Sequence, residues 1–152
     1  MLNGDGLRVV LWVAGCNHCC KECQNPITWD PDGGLLFDES AKQEIFEQLE
    51  KPYISGITFS GGEATAQPEL LEYLSSRLYD MGFSLDIESC GYFEFERVRS
   101  SLERMDLIFM DLKHMDSALH EKFTGVPNER ILENIKQLAE LSARVVIRIP
   151  TI

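Results

Sequence analysis

The sequence predicts an α/β fold, an open partial (β/α) barrel of about five parallel strands. Short apolar runs recur at residues 8–13 (RVVLWV), 56–59, 84–89, 106–111 (DLIFMD) and 144–149 (RVVIRI), with helical periodicity between them. Polar or glycine-rich motifs follow the strands at their carboxyl ends, which in a parallel β/α fold all open on one face. Five units are too few to close an eight-stranded barrel, so the sheet should stay open.

Each element has its own justification. Residues 8–13 read as a strand buried on both faces, and a cysteine-rich stretch hangs from its carboxyl end. Asp32-Gly33-Gly34 is a turn, and Asp38-Glu39-Ser40 opens a helix with Ile45, Phe46 and Leu49 on one face. A short strand at 56–59 runs straight into Ser60-Gly61-Gly62-Glu63. Pro68 then starts a helix through Leu70, Leu71, Leu74 and Leu78 that stops near Met81-Gly82.

Residues 84–89 alternate, Leu85 and Ile87 one way, Asp86 and Glu88 the other, before Cys90-Gly91-Tyr92. A helix is expected over about 93–103. The strand at 106–111 leads into Leu112-Lys113-His114-Met115, and Asn128 is read as the cap of a long helix carrying Ile131, Ile135, Leu138 and Leu141. The last strand, 144–149, ends at Pro150.

The length of 152 residues fits one domain, 1–152, that buries about two thirds of its unfolded surface. A sheet ending on its last strand leads us to expect a chain that continues past Ile152. The formal charge of -11, from 25 acidic against 14 basic residues with no basic run, argues against nucleic acid as a partner. No stretch approaches the roughly 18 apolar residues of a membrane span, so a cytoplasmic protein is expected. The edge strand 144–149 has only Arg144 and Arg148 as charged guards, and is expected to be covered by a second copy, giving a homodimer, or by a partner.

Four of the five cysteines lie within Cys16-Asn17-His18-Cys19-Cys20-Lys21-Glu22-Cys23. Cys16, Cys20 and Cys23 give C-x3-C-x2-C, three soft ligands on one loop with no fourth at ligand spacing. Structural zinc normally takes two separated pairs, and no second pair follows. The odd cysteine count and the lack of a secretory signal argue against a disulfide framework. Cys19 breaks the spacing and reads as an extra loop thiol or a small buried residue.

C-x3-C-x2-C directly after an apolar strand resembles the radical S-adenosylmethionine (SAM) superfamily, in which three cysteines hold a [4Fe-4S] cluster and the open iron chelates SAM. Residues 5–18 (DGLRVVLWVAGCNH) and 23–30 (CQNPITWD) resemble the anaerobic ribonucleotide reductase activating proteins, which commonly share the lack of an aromatic residue at Glu22. Residues 110–116 (MDLKHMD), 122–128 (KFTGVPN), 131–135 (ILENI) and 147–152 (IRIPTI) resemble pyruvate formate-lyase activating enzymes. Both are glycyl-radical enzyme activases. The resemblance therefore implies a glycyl-radical enzyme as protein substrate, most of all anaerobic ribonucleoside-triphosphate reductase, a flavodoxin or ferredoxin-type electron donor, and an anaerobic or facultative microbial setting.

The resemblance also assigns SAM contacts. Ser60-Gly61-Gly62-Glu63, by itself a tight turn, is similar to the GGE segment whose backbone holds the SAM amino group, with Glu63 ordering the loop or touching ligand. Glu88 and Ser89 match a segment at the SAM ribose and methionine. Asp111 and Lys113 stand on the next strand end, with Lys113 toward the SAM carboxylate; the plain alternative is a surface ion pair. No side-chain acid or base is required, because the cofactors carry the chemistry. His18, His114 and His120 are read as non-ligands, and Trp12 and Trp29 as covers over the cluster. The rivals are a radical SAM enzyme acting on a small molecule and a non-catalytic Fe-S electron carrier.

Overall fold

The computed structural model describes residues 3–18 and 20–149. Cys19, and the Pro150-Thr151-Ile152 end of the last motif, lie outside the described residues. Five strands form one parallel sheet in sequence order: β1 (Arg8–Val13), β2 (Gly56–Gly61), β3 (Ser84–Ser89), β4 (Leu107–Asp111) and β5 (Arg144–Arg148). The helices are α1 (Glu39–Leu49), α2 (Pro68–Asp80), α3 (Phe95–Leu102), α4 (Ser117–Thr124) and α5 (Glu129–Leu138). This is the expected open α/β partial barrel, and among the described residues no helix is long and apolar enough to cross a membrane.

Alternation along each strand divides the sheet into two faces. Ile57, Phe59, Leu85, Ile87, Ile108 and Met110 point one way and are almost fully buried with Leu74, Leu78, Leu102, Ile131 and Leu138. The opposite, concave face carries polar groups that are buried as well. Asp86, on the face opposite Leu85 and Ile87 as expected, is buried there and pairs with Arg8 at 3.1 Å. Arg8 also donates to the Thr58 hydroxyl and to the carbonyls of Ile57 and Ser84. Burial raises the Asp86 carboxyl to about 6 despite the nearby guanidinium.

The caps follow sequence chemistry at α1 and α4, where Asp38 and Asp116 accept from the amides of Ala41 and Leu119. Asn128 differs from its expected role: its side chain makes no cap bond to α5. It donates instead to the carbonyls of His114 and Met115, tying down the chain after β4. Helix α4 went unpredicted because its eight residues carry no clean apolar stripe; the helix expected after Asn128 is α5, and Leu141 falls beyond its end. Asn134, on α5, donates to Gly91 and Phe93 and pins the loop after β3.

Removing one partner of a buried ion pair leaves the other charge unpaired, at a cost of about 3–5 kcal/mol. Asp86→Ala should destabilise the fold by that order in urea denaturation, and the double change Arg8→Met with Asp86→Leu should recover much of the loss. Equal stability of the single and double variants would show that the pair is not what holds the concave face.

Candidate cofactor site

The loop that follows β1 is strapped to its surroundings by backbone bonds. Gly15 and Cys16 donate to Thr28 and Trp29, the Cys23 amide closes a turn onto Cys20, and the Lys21 amide reaches Phe123 at the end of α4. On the other side, the end of β2 presses against the loop: the amides of Gly62 and Glu63 donate to Val13 and Gly15, each at 2.9 Å. A Cβ at Gly61, where φ is +110°, would meet Val13 backbone atoms at 2.3–2.4 Å. One at Gly62 would meet the carbonyls of Gly15 and Thr28 at 2.5 Å. Both glycines are therefore demanded by the protein's own cysteine loop.

Cys16, Cys20 and Cys23 line a cavity of about 570 Å³ together with Ser60, Gly61, Gly62, Glu88, Ser89, Asp111 and Lys113. Of the eleven residues singled out in the sequence, only Glu63 lies outside it. The Glu63 carboxylate is turned inward, accepting from the amide and hydroxyl of Thr65, the Ser89 hydroxyl and the Cys90 amide. Glu63 thus orders the loops after β2 and β3. The Ser89 hydroxyl, bonded to Glu63 and accepting from the Gly91 amide, has the same internal role.

Glu88 accepts from the Ser60 hydroxyl at 2.6 Å, from Asn3 at 3.0 Å and from Arg148 at 3.1 Å. Arg148 also grips Asp111 at 2.6 Å, and the second Asp111 oxygen takes Lys113 at 2.8 Å. These side chains join the ends of β3, β4 and β5 in one charged row. Burial opposes the Arg148 charge, but Asp111 and Glu88 hold its pKa above the ordinary value. Arg148 and Asn3 were missed in the sequence. Arg148 was read as an edge guard, although its position at the carboxyl end of a strand was a signal, whereas nothing local marks Asn3.

Among the described residues, Cys16, Cys20, Cys23 and Cys90 are not joined in disulfides. Burial pushes the Cys16 thiol up to about 11, so an ionised sulfur there needs a compensating cation. His18 is 2% exposed, and burial takes it down to about 4, so it stays neutral near pH 7. Its Nε2 lies 3.6 Å from Cys90 Sγ and its ring meets Tyr92 edge-on. Trp12, expected to cover the loop, is half exposed at the cavity mouth, while Trp29 lines the cavity wall.

A family model described as a 4Fe-4S single cluster domain matches residues 2–132. The chain belongs to this family. It is 31% identical to the pyruvate formate-lyase-activating enzyme of Clostridium pasteurianum over the whole of this chain and 66% of that enzyme. A solved domain of a pyruvate-formate lyase-activating enzyme from Bacteroides vulgatus superposes with a TM-score of 0.57 at 37% identity, over 63% of this chain and 60% of that one. SuiB of Streptococcus suis, bound to S-adenosylmethionine, superposes with a TM-score of 0.71 at 18% identity over 95% of this chain and 32% of that one, which shows the fold alone. The chain thus spans just under two thirds of the length of the C. pasteurianum enzyme.

The family carries a single 4Fe-4S cluster. The donor set fits one: three thiols line a cavity whose lining also holds carboxylates and an ammonium. Among the described residues no three His, Cys, Asp or Glu side chains converge on a single-ion site. A cubane asks for a different arrangement, with each thiolate on its own iron.

Gly62→Ala should force the β2 end away from the cysteine loop. The expected result is faster hydrogen exchange at the Gly15 and Cys16 amides and lower iron retention after reconstitution, and unchanged exchange at both would refute this packing role.

Proposed function

We propose that this chain is the catalytic core of a glycyl-radical enzyme activase, a radical SAM oxidoreductase whose single domain, residues 1–152, works in the cytoplasm. When bound, the cluster and SAM supply a 5′-deoxyadenosyl radical, formed with methionine by one-electron cleavage, and that radical takes hydrogen from a glycine of the partner enzyme. The observation that supports this reading most is the meeting of Cys16, Cys20 and Cys23 with Glu88, Asp111 and Lys113 around one cavity. The protein's share is to bind, orient and exclude water.

Cys16, Cys20 and Cys23 would hold three irons. Lys113 is placed to take the SAM carboxylate, Glu88 the ribose hydroxyls, and the backbone of Gly61 and Gly62 the amino group. Arg148 and Asn3 hold Glu88 in position for that task. The target we favour is a pyruvate formate-lyase-type enzyme. Residues 5–30, which resemble the ribonucleotide reductase activating proteins, lie inside the span aligned with the C. pasteurianum pyruvate formate-lyase-activating enzyme. That supports the formate-lyase type over the reductase type. A flavodoxin or ferredoxin-type donor would deliver the electron. The β5 edge, where Ile147 is 38% and Ile149 68% exposed, would be covered by a second copy or by the partner enzyme.

Anaerobic reconstitution should give close to four irons per chain, and Cys16→Ala, Cys20→Ala or Cys23→Ala should each abolish it while Cys19→Ala does not. Loss of iron with Cys19→Ala alone would overturn the ligand assignment.

With a one-electron reductant the loaded protein should convert SAM to 5′-deoxyadenosine and methionine. Glu88→Ala and Lys113→Ala should each weaken SAM binding by about tenfold or more, that is about 1.4 kcal/mol or more, without loss of iron. Cluster reduction that leaves SAM intact would move the protein to the electron-carrier class.

A further inference from the structure

Residues 3–6, just before β1, fold back across the concave face. The Asn3 carbonyl accepts from the Thr58 hydroxyl of β2 at 2.6 Å, and its side-chain amide donates to Glu88 of β3 at 3.0 Å. Asp5 pairs with Arg144 of β5 at 2.7 Å, and its carbonyl accepts from Arg8 of β1. Gly4 is buried at φ +115°, where a Cβ would meet Asp86 Oδ2 at 2.0 Å. Only glycine lets the chain pass this close to the buried Arg8–Asp86 pair. The segment is a strap that joins β1, β2, β3 and β5.

We propose that this strap is a positioning device for the Glu88 carboxylate, acting through Asn3 and closing as SAM binds. The proposal rests on the reading above, in which Glu88 takes the ribose hydroxyls of SAM. An ionised carboxylate offers about four acceptor positions. Three are used by described residues: Oε1 takes Asn3 and Arg148, and Oε2 takes Ser60. With Oε1 filled, the acceptor position left for a ligand hydroxyl lies on Oε2. The strap therefore decides which carboxylate oxygen meets the ligand.

The strap acts as a unit because Asn3 is fixed from both sides, by Thr58 on its carbonyl and by the buried Gly4 that follows it. Asp5 anchors the other end to Arg144 at the amino end of β5, whereas the cysteine loop follows the carboxyl end of β1. The Asp5–Arg144 pair is exposed and contributes little free energy, so the anchor can open and close. A ligand that binds the held carboxylate better than a loose one favours the closed strap. By the reciprocity of coupled equilibria, the closed strap favours that ligand to the same degree.

The test measures SAM binding by equilibrium dialysis on the cluster-loaded, oxidised chain, in which SAM stays intact. The forms compared are wild type, Asn3→Ala, Asp5→Ala, Glu88→Ala and the double variant Asn3→Ala, Glu88→Ala, with iron content and urea denaturation as controls. Asn3→Ala should weaken SAM binding about tenfold, as loss of a hydrogen bond to a charged group does. Asp5→Ala, at the far end of the strap, should weaken it about twofold. In the Glu88→Ala background Asn3→Ala should add nothing, because the strap acts through that carboxylate. The Gly4 and Gly6 amide resonances should shift on addition of SAM in wild type and stay in place in Glu88→Ala. Unchanged SAM affinity in Asn3→Ala, or an equal further loss in the Glu88→Ala background, would overturn the proposal. If no form binds SAM, the activase reading fails, and the strap is decided without ligand. Glu88→Ala should then move the Gly4 and Gly6 resonances by itself, and unmoved resonances would overturn the strap as well.

Discussion

The buried carboxylate of Glu63 is the interaction on which the site depends. Its backbone amide reaches back to Gly15 and its oxygens reach forward to Thr65, Ser89 and Cys90, so one residue joins the loops after β1, β2 and β3. A buried charge survives only when its hydrogen-bond capacity is used, and here every bond it accepts also fixes a loop. The Gly61-Gly62 pair makes this possible by letting β2 lie flat against the cysteine loop.

A second layer of the same logic covers the concave face. Arg8, Thr58 and Asp86 fill the bottom of the half barrel, and Ser60, Glu88, Asp111 and Arg148 fill its top. The register puts these residues on neighbouring strands, with Thr58 beside Asp86 and Asp111 beside Arg148. A hydrophobic filling would stabilise the sheet as well, but would leave nothing to hold a charged, hydroxyl-rich ligand. The helical face carries the apolar core and leaves the concave face available for polar chemistry.

Much of this was legible in the sequence because strand patterns and the strand-end rule are local and topological. Residues 84–89 were read with the bounds that β3 shows, and ten of eleven predicted site residues meet in one cavity. What stayed hidden depends on long-range pairing. Asn3 and Arg148 both bind Glu88, over 85 and 60 residues of separation, and no periodicity announces such contacts. Asn128 misled for a related reason. An asparagine before an apolar stripe fits a cap, yet its amide found better acceptors in the loop behind it. Helix α4 was invisible because a short helix without a clear stripe looks like connection.

The strap from Lys21 to Phe123 bears on the order of events during synthesis. The cysteine loop emerges from the ribosome early, but the chain that braces it arrives about a hundred residues later, and Arg148 later still. Until then three thiols sit on a tethered but unbraced segment. A cysteine loop braced by its own late neighbours therefore reaches its final shape only after α4 has folded against it.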